Sequence, residues 1–430
     1  MQPTGAATPG NARLISQPFV KSLLRLQLLH ALSIALPIAI HPWLARHLEP
    51  AAYGRLIFVT AVISYFVLMC DFGFNWSATR LIASDRANGR RCSEVVSTTL
   101  SAKMLLFVGG MVLLWMLTVW IPEFAQMRAL LLVAYGGVLG NVLSPSFYFQ
   151  GMDKAHVALS VEVIARSLLL IAIVASVRHP DDLFLAISLS ALGQFAAGLI
   201  GALLLIRERD LEWMRPSLRQ ITEHLRRGVP LFLSTSAVSL YSATSSLILG
   251  LISTVEQVAF FGAAQKVIAA CSAIFQPFHL MFYPRINAER QRTPRRAVGL
   301  VLSALGLQLI VGVALSLVLL FFADVIVGVL FGEAFGSAVT VLRWMAVVPL
   351  FLAAATVFAN YVMLPAGKDR LHLLMTVGAG LINVAIVLAI GAAEGALAAA
   401  IGIVVAEAFV LAFSLVAGGR LLREARGEAR

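Results

Sequence analysis

The sequence predicts an all-α polytopic membrane protein of about twelve transmembrane helices. Three observations carry this. Long apolar stretches follow one another from Leu26 to Val416 with only short polar breaks. Each is close to the roughly 20 residues a helix needs to cross about 30 Å of hydrocarbon. The stretches are continuous rather than alternating segments of about ten residues, which excludes a barrel and leaves the helix to satisfy the backbone in lipid. Finally, 60% of the 430 residues are hydrophobic and 13% are charged, so almost no chain remains for a soluble domain.

The expected spans are 26–44, 56–74, 95–121, 129–149, 157–177, 183–206, 229–252, 258–283, 298–322, 338–363, 371–390 and 396–416. Val325–Phe331 is too short to cross and reads as a lip before the tenth span. The chain divides into a cytoplasmic N-tail (1–25), an N-lobe of helices 1–6 (26–206), a cytoplasmic linker (207–228), a C-lobe of helices 7–12 (229–416) and a cytoplasmic C-tail (417–430). Of 33 Lys and Arg, 25 fall in the termini and even-numbered loops. The odd-numbered loops hold only Arg46, Arg55, Arg128 and Arg178. The positive-inside rule then places both termini in the cytoplasm. It also accounts for the net charge of +11, so no nucleic-acid partner is expected. The N-terminal stretch lacks a short apolar core with a small-residue cleavage site, and the first span is expected to be retained.

The longest polar break follows the sixth span. A helix begun at Pro216-Ser217 would put Leu218, Ile221 and Leu225 on one face, as in an interfacial amphipathic helix; a solvated basic linker fits equally well. Two halves imply an internal repeat. Tyr53-Gly54 opens the second span and Phe261-Gly262 the eighth; Arg80 and Arg285 follow these glycines by 26 and 23 residues.

The sequence holds no GxxxxGK[ST] loop, no HExxH, no loop GxSxG and no Cys/His cluster, so neither an enzyme nor a metal site is expected. Cys70, Cys92 and Cys271 read as small buried apolar residues or free thiols. What remains is charge inside the spans, which costs at least about 2.5–3.5 kcal/mol at a helix centre and usually faces a cavity or a partner. The candidates are Asp71, Lys103, Glu162, Arg166, Lys266, Arg343 and Glu407. Glu162 and Arg166, four apart, share a helix face as a structural ion pair or a coupling pair. Lys103 could snorkel, whereas Lys266 and Arg343 approach from the outer side at similar depths and are candidates to line a cavity. A cavity rich in Lys and Arg would favour a phosphate or diphosphate. His30 and His41 read as structural, Gly136-x-x-x-Gly140 as helix packing, and Pro37, Pro145, Pro230, Pro277 and Pro349 as kinks.

Several stretches then resemble a known family. AAYGRLIF leads to DFGFNWSATRLIA (Asp71–Ala83); PSFYFQGMDK spans Pro145–Lys154. SLYSATSSLILGLIS, AFFGAAQKV, FYPRIN, FGEAF (Phe331–Phe335) and VLRWM follow in order. Together, from about residue 20 to 420, they resemble the Wzx-type oligosaccharide flippases, the polysaccharide transporter family of the multidrug/oligosaccharidyl-lipid/polysaccharide exporter superfamily. The resemblance implies two six-helix lobes around a V-shaped central cavity, working by alternating access. It implies translocation of undecaprenyl-diphosphate-linked oligosaccharide repeat units across the bacterial inner membrane, for O-antigen or exopolysaccharide biosynthesis. On that reading Lys266, Arg343, Arg285, Arg80 and Lys103 would meet the diphosphate, and Glu162, Arg166, Glu407 and Asp71 would serve coupling or ion pairing. No cofactor is expected beyond a coupling proton or sodium ion. The expected partners are the bilayer, the lipid-diphosphate-linked oligosaccharide, and polysaccharide polymerase and chain-length proteins. A multidrug cation exporter of the same superfamily is disfavoured by the excess of basic groups in the spans. A polymerase-type membrane enzyme would need a sizeable outer loop, and a scaffold would not need so many intramembrane charges.

Reporter fusions check the topology. Fusions after Arg91, Arg215, Arg292 and in the C-tail should report cytoplasm, and those at Glu123, Asp181, Glu256 and Glu394 the outside. A cytoplasmic signal at Glu256 would break the twelve-span assignment.

Overall fold

The structure, a computed structural model, describes residues 17–208 and 211–427. Expectations for the start of the N-tail (1–16), for 209 and 210 in the linker and for the last three residues of the C-tail lie outside the described residues. Every regular element among the described residues is helical. The helices are α1 (Gln17–Asp71), α2 (Phe74–Ser84), α3 (Gly89–Trp120), α4 (Pro122–Gln126), α5 (Arg128–Leu143), α6 (Ser146–Gly151), α7 (Ala155–Ser176) and α8 (Leu183–Ile206). After the linker come α9 (Leu218–Ser242), α10 (Thr244–Ile252), α11 (Val255–Ala273), α12 (Gln276–Arg292), α13 (Pro294–Phe331), α14 (Ser337–Met345), α15 (Val348–Thr356), α16 (Asp369–Glu394) and α17 (Ala396–Gly427). A π-helical turn, Val357–Met363, continues α15.

Ten helices among the described residues are long and apolar enough to cross a membrane, and one of these runs 58 residues from Gln27 to Ser84. At 1.5 Å per residue such a rod would be nearly three times the hydrocarbon thickness. It is not one rod. Glu49 leaves helical geometry (φ 60°, ψ 168°) because Pro50 follows it, and a proline disfavours the α conformation in the residue before it. A second break falls at Phe72-Gly73, both at positive φ.

Proline also divides other expected spans. α5 ends before Pro145, and Pro277 and Pro349 start new helices at α12 and α15. By contrast α1 passes through Pro37 unbroken. The expected lip Val325–Phe331 is the end of α13 beyond a kink at Phe322. The linker helix and the start of the seventh expected span form one element, α9, which breaks only at Ala243.

Each long helix turns one apolar face outward. On α16 Leu374, Leu381 and Leu388 are exposed at a spacing of seven; on α3 Leu105, Val108, Val112, Met116 and Val119 form a similar stripe. A stripe of this kind suits lipid, whereas water would penalise it. The inner faces use small residues, as helices in lipid must to approach closely. The expected Gly136-x-x-x-Gly140 contact is off by one position. Gly136 faces open space, while Gly137 packs on Ala191 and Gly140 on the backbone of Gln194. A Cβ on Gly198 of α8 would lie 1.9 Å from the Gly140 carbonyl oxygen, so α5 and α8 touch backbone to backbone.

The two halves of the chain meet through a reciprocal crossing at the end of the bundle poor in Lys and Arg. A Cβ on Gly54 would lie 1.8 Å from the Val255 carbonyl oxygen of α11, and one on Gly262 would meet Ile57 of α1 at 2.9 Å. The Tyr53 ring packs edge-on against Phe335 at 5.6 Å, and the Arg46 guanidinium donates to the Val329 carbonyl. Tyr65 Oη and Thr244 Oγ1 are 2.5 Å apart, joining α1 to α10.

At the opposite, basic end the linker is strapped to the first half. Lys154 Nζ pairs with both oxygens of Glu208 at 2.8 and 2.9 Å. The backbone N–H groups of Glu212 and Met214 donate to Ser93 Oγ and Ser97 Oγ, both at 3.0 Å. Ser217 and Gln220 cap α9 reciprocally. Ile221 and Leu225 pack against Phe72, Phe74 and Ala102, while Leu218 stays exposed, so only two of the three residues of the expected apolar face are used. His224 shares a hydrogen bond with Thr99 Oγ1 at 3.0 Å and stacks on Phe74; burial and then nearby Arg227 lower its proton affinity. At the other end Asp182 accepts the N–H groups of Arg178 and His179, which hold its carboxyl below the usual range.

Two alanine substitutions separate packing glycines from idle ones. Gly136→Ala should raise stability by about 0.5–1 kcal/mol, because Ala is the better helix former and nothing stands in its way. Gly198→Ala should lower the melting temperature of the purified protein and reduce its accumulation. Equal behaviour of the two would contradict the backbone contact.

Candidate functional site

Within the first half lies a cavity of about 1090 Å³. Every residue lining it comes from positions 27–201 except Leu280 of α12. Gln27, His30 and His41 of α1 form one wall, with Asn75 and Thr79 of α2 beside them. Asn141, Ser144, Ser146 and Gln150 come from α5, α6 and the turn between them; Glu162 and Arg166 come from α7, and Ser190 and Gln194 from α8.

The helix packing explains this gathering. Because Gly140 presses on the Gln194 backbone, the next residue, Asn141, and Gln194 are brought to one wall. The break at Pro145 turns Ser146 toward α2, where its hydroxyl donates to Asn75 Oδ1 at 3.0 Å. Thr79 Oγ1 lies 3.1 Å from the Phe147 carbonyl and 2.5 Å from that of Asn75. Asn141 Oδ1 is buried and has no hydrogen-bond partner. Such an acceptor is costly unless something donates to it.

Glu162 and Arg166 form an ion pair at 2.5 Å, and Arg166 also donates to the Ser33 carbonyl, tying α7 to α1. Both side chains are more than a third exposed, so the pair contributes at most about 1 kcal/mol. Its main consequence is that the wall carries no net charge at that point. At the far end of the cavity His41 Nδ1 and Tyr53 Oη are 3.1 Å apart, joining the wall to the crossing of the two halves. Lys266 of α11 lies in the neighbourhood of His41.

The other sequence-predicted residues stand apart from this wall. Lys103 is buried against Asp71, with Nζ–Oδ1 at 3.1 Å and Phe147 below the ammonium at 5.7 Å. Arg343 pairs with Asp324 across α14 and α13 and is exposed. Arg80 is exposed one residue beyond Thr79, and Arg285 is exposed on α12. Glu407 is buried on α17. None of the five cations is among the residues lining the cavity, and two of them, Lys103 and Arg343, have carboxylate partners. Sequence reasoning missed the amides Gln27, Asn75, Asn141, Gln150 and Gln194. Asn141 and Gln194 do carry a signal: a lone amide inside an apolar span needs an interior partner. Among the described residues no group of His, Cys, Asp and Glu is placed to hold a metal ion.

Apolar helices around an internal cavity, tightly crossed at one end, make a fold similar to that of solved membrane transporters, some of them of the MOP superfamily. The lipid II flippase MurJ in an inward closed conformation superposes with a TM-score of 0.76 at 10% identity, covering 91% of this chain and 87% of that one. A multidrug resistance MATE family transporter superposes at 0.72 in its inward-facing conformation (15% identity; 93% and 96% covered) and at 0.60 in its outward-facing one (17%; 94% and 96%). The chain belongs to the family described as "Polysaccharide biosynthesis protein", which it matches over residues 19–288. Over 396 residues it is 25% identical to the "Putative O-antigen transporter" of Escherichia coli (strain K12), covering 92% of this chain and 95% of that one. A protein of the same name from Shigella dysenteriae is 23% identical over 353 residues, 82% and 87% of the two chains.

The Lys103–Asp71 pair yields a prediction. Removing either partner alone leaves a desolvated charge, at a cost of about 3–5 kcal/mol. Lys103→Met or Asp71→Asn should therefore depress the melting temperature more than the double variant does. A double variant as unstable as the sum of the singles would show that the two groups act independently.

Proposed function

We propose that this protein is a flippase that carries lipid-diphosphate-linked oligosaccharide repeat units across the bacterial inner membrane for O-antigen or exopolysaccharide assembly. The observation that carries this reading is a large cavity with polar side chains on its wall, set within apolar helices and closed at the end poor in Lys and Arg, in a chain of the polysaccharide biosynthesis protein family. The relatives are named as transporters and flippases rather than enzymes.

In this reading the basic end faces the cytoplasm, and both termini lie there. There are twelve spans in two six-helix lobes: the break at Glu49 splits the 58-residue helix into two, and α9 with α10 supplies the seventh span. The better superposition on the inward-facing than on the outward-facing transporter supports a state loaded from the cytoplasm. Alternating access then requires the Gly54–Val255 crossing to part while the basic end closes.

The sugar headgroup enters the cavity and the lipid tail stays in the bilayer. The diphosphate meets cations at the margins of the cavity: Arg80 beside Thr79, Arg285 on α12, and Lys266 behind His41. Glu162 and Glu407 are the candidate acids for coupling to a proton or sodium gradient. A multidrug cation exporter fits less well, because the carboxylate on the wall, Glu162, is already neutralised by Arg166.

Deletion in a strain without a second flippase should abolish surface polysaccharide and leave lipid-linked repeat units on the inner leaflet. Lys266→Ala should reproduce much of that loss while the protein still accumulates, and Lys266→Arg should be milder because the charge is kept. Normal surface polymer in the deletion strain would refute the function, whereas normal export by Lys266→Ala would refute only the role of that residue.

A further inference from the structure

We propose that Asn141 and Gln194, with Gln150 beside them, form a saccharide-reading subsite on the wall of the cavity, separate from the groups that meet the diphosphate. The inference rests on the flippase reading and assigns the sugar part of the substrate to particular residues.

The argument starts from the chemistry of the wall. Five amides line it (Gln27, Asn75, Asn141, Gln150 and Gln194), while its side-chain ion pair, Glu162 with Arg166, cancels its own charge. A diphosphate calls for cations and charge-assisted hydrogen bonds. A sugar hydroxyl donates one hydrogen bond and accepts others, and an amide does the same without net charge. The wall therefore matches a neutral polyhydroxylated ligand better than an anion.

The second step is positional. Asn141 Oδ1 is a buried acceptor that faces no donor in the protein. A structural asparagine would have used that oxygen to bond a neighbouring helix, as Asn75 Oδ1 does with Ser146. Asn141 is held at the wall beside Gln194 by a contact so close that a Cβ on Gly140 would lie 2.1 Å from the Gln194 carbonyl oxygen. The two amides are thus fixed by backbone packing rather than by side-chain bonds to each other, and their polar atoms are left for a ligand. Gln194 and Gln150 are exposed within the same cavity.

The test uses the full-length protein in lipid nanodiscs and two probes. One is the lipid-free oligosaccharide released by mild acid from the lipid carrier of the host strain; the other is geranyl diphosphate, which carries the charge and no sugar. Binding is read by calorimetry and saturation-transfer NMR. The wild type should bind both. The double variant Asn141→Leu, Gln194→Leu should bind the oligosaccharide at least tenfold more weakly and geranyl diphosphate within twofold of the wild type. Its melting temperature should not fall, because the substitution removes an unpaired buried acceptor rather than a bonded one. Should the Leu pair fail to accumulate, Gln194→Ala at its exposed position should still weaken the oligosaccharide selectively. Unchanged oligosaccharide binding in the variants, or equal loss of both probes, would overturn the subsite. A wild type that binds geranyl diphosphate but not the oligosaccharide would overturn the subsite and leave the flippase reading standing. A wild type that binds neither would overturn both.

Discussion

The crossing of α1 and α11 at Gly54 and Gly262 is the constraint on which the rest of the molecule depends. In lipid, two helices gain little from burying apolar side chains against each other, since the surrounding chains are just as apolar. Close approach is what lets dispersion and backbone dipoles act, and it needs residues without a Cβ at the point of contact. Here each half supplies one: Gly54 receives the Val255 carbonyl, and Gly262 receives Ile57. The contact brings Tyr53 against Phe335 and places His41 under Tyr53, so the upper limit of the cavity follows directly from it. At the basic end the halves are held by other means, the linker and the stacking of Phe72 on Phe232 at 4.5 Å.

There apolar packing of Ile221, Leu225 and the Phe72 and Phe74 rings is joined by local polar contacts. The linker lies along the first half through Ser93, Ser97, Thr99 and Lys154, and α9 carries that attachment directly toward the second half until the break at Ala243. The molecule therefore has a tight apolar joint at one end and a hydrogen-bonded strap at the other. Between them the buried Lys103–Asp71 pair sits against Phe147, at the level where α1 gives way to α2. Its burial makes it an interior fastening, and it leaves the cavity wall to neutral groups.

Much of the fold was legible in the sequence because span length and loop charge are set by the bilayer itself, independently of tertiary contacts. The apolar stretches gave the helices, and Pro145, Pro277 and Pro349 marked real breaks. Tyr53-Gly54 and Phe261-Gly262, a faint repeat in the chain, proved to be reciprocal contacts in space. The sites were less legible, since partners of intramembrane charges are distant in sequence. Lys103 finds Asp71 from 32 positions away, and Arg343 finds Asp324 around a kink that nothing but structure locates. Only Glu162 and Arg166, one turn apart, could be paired by spacing. Asn141 and Gln194 were passed over because a neutral amide draws less notice than a charge, although in an apolar span it raises the same question of what bonds to it.

In the proposed flippase the crossing at the Lys- and Arg-poor end is a gate that parts during transport. Spin labels on cysteines replacing Arg55 and Glu256, next in sequence to Gly54 and Val255, would measure it directly by pulsed electron paramagnetic resonance. Cys70, Cys92 and Cys271, all free and buried, would first be replaced. In nanodiscs the ligand-free protein should give one short distance, and lipid-linked oligosaccharide should add a second, longer population. A single short distance under every condition would contradict the gate.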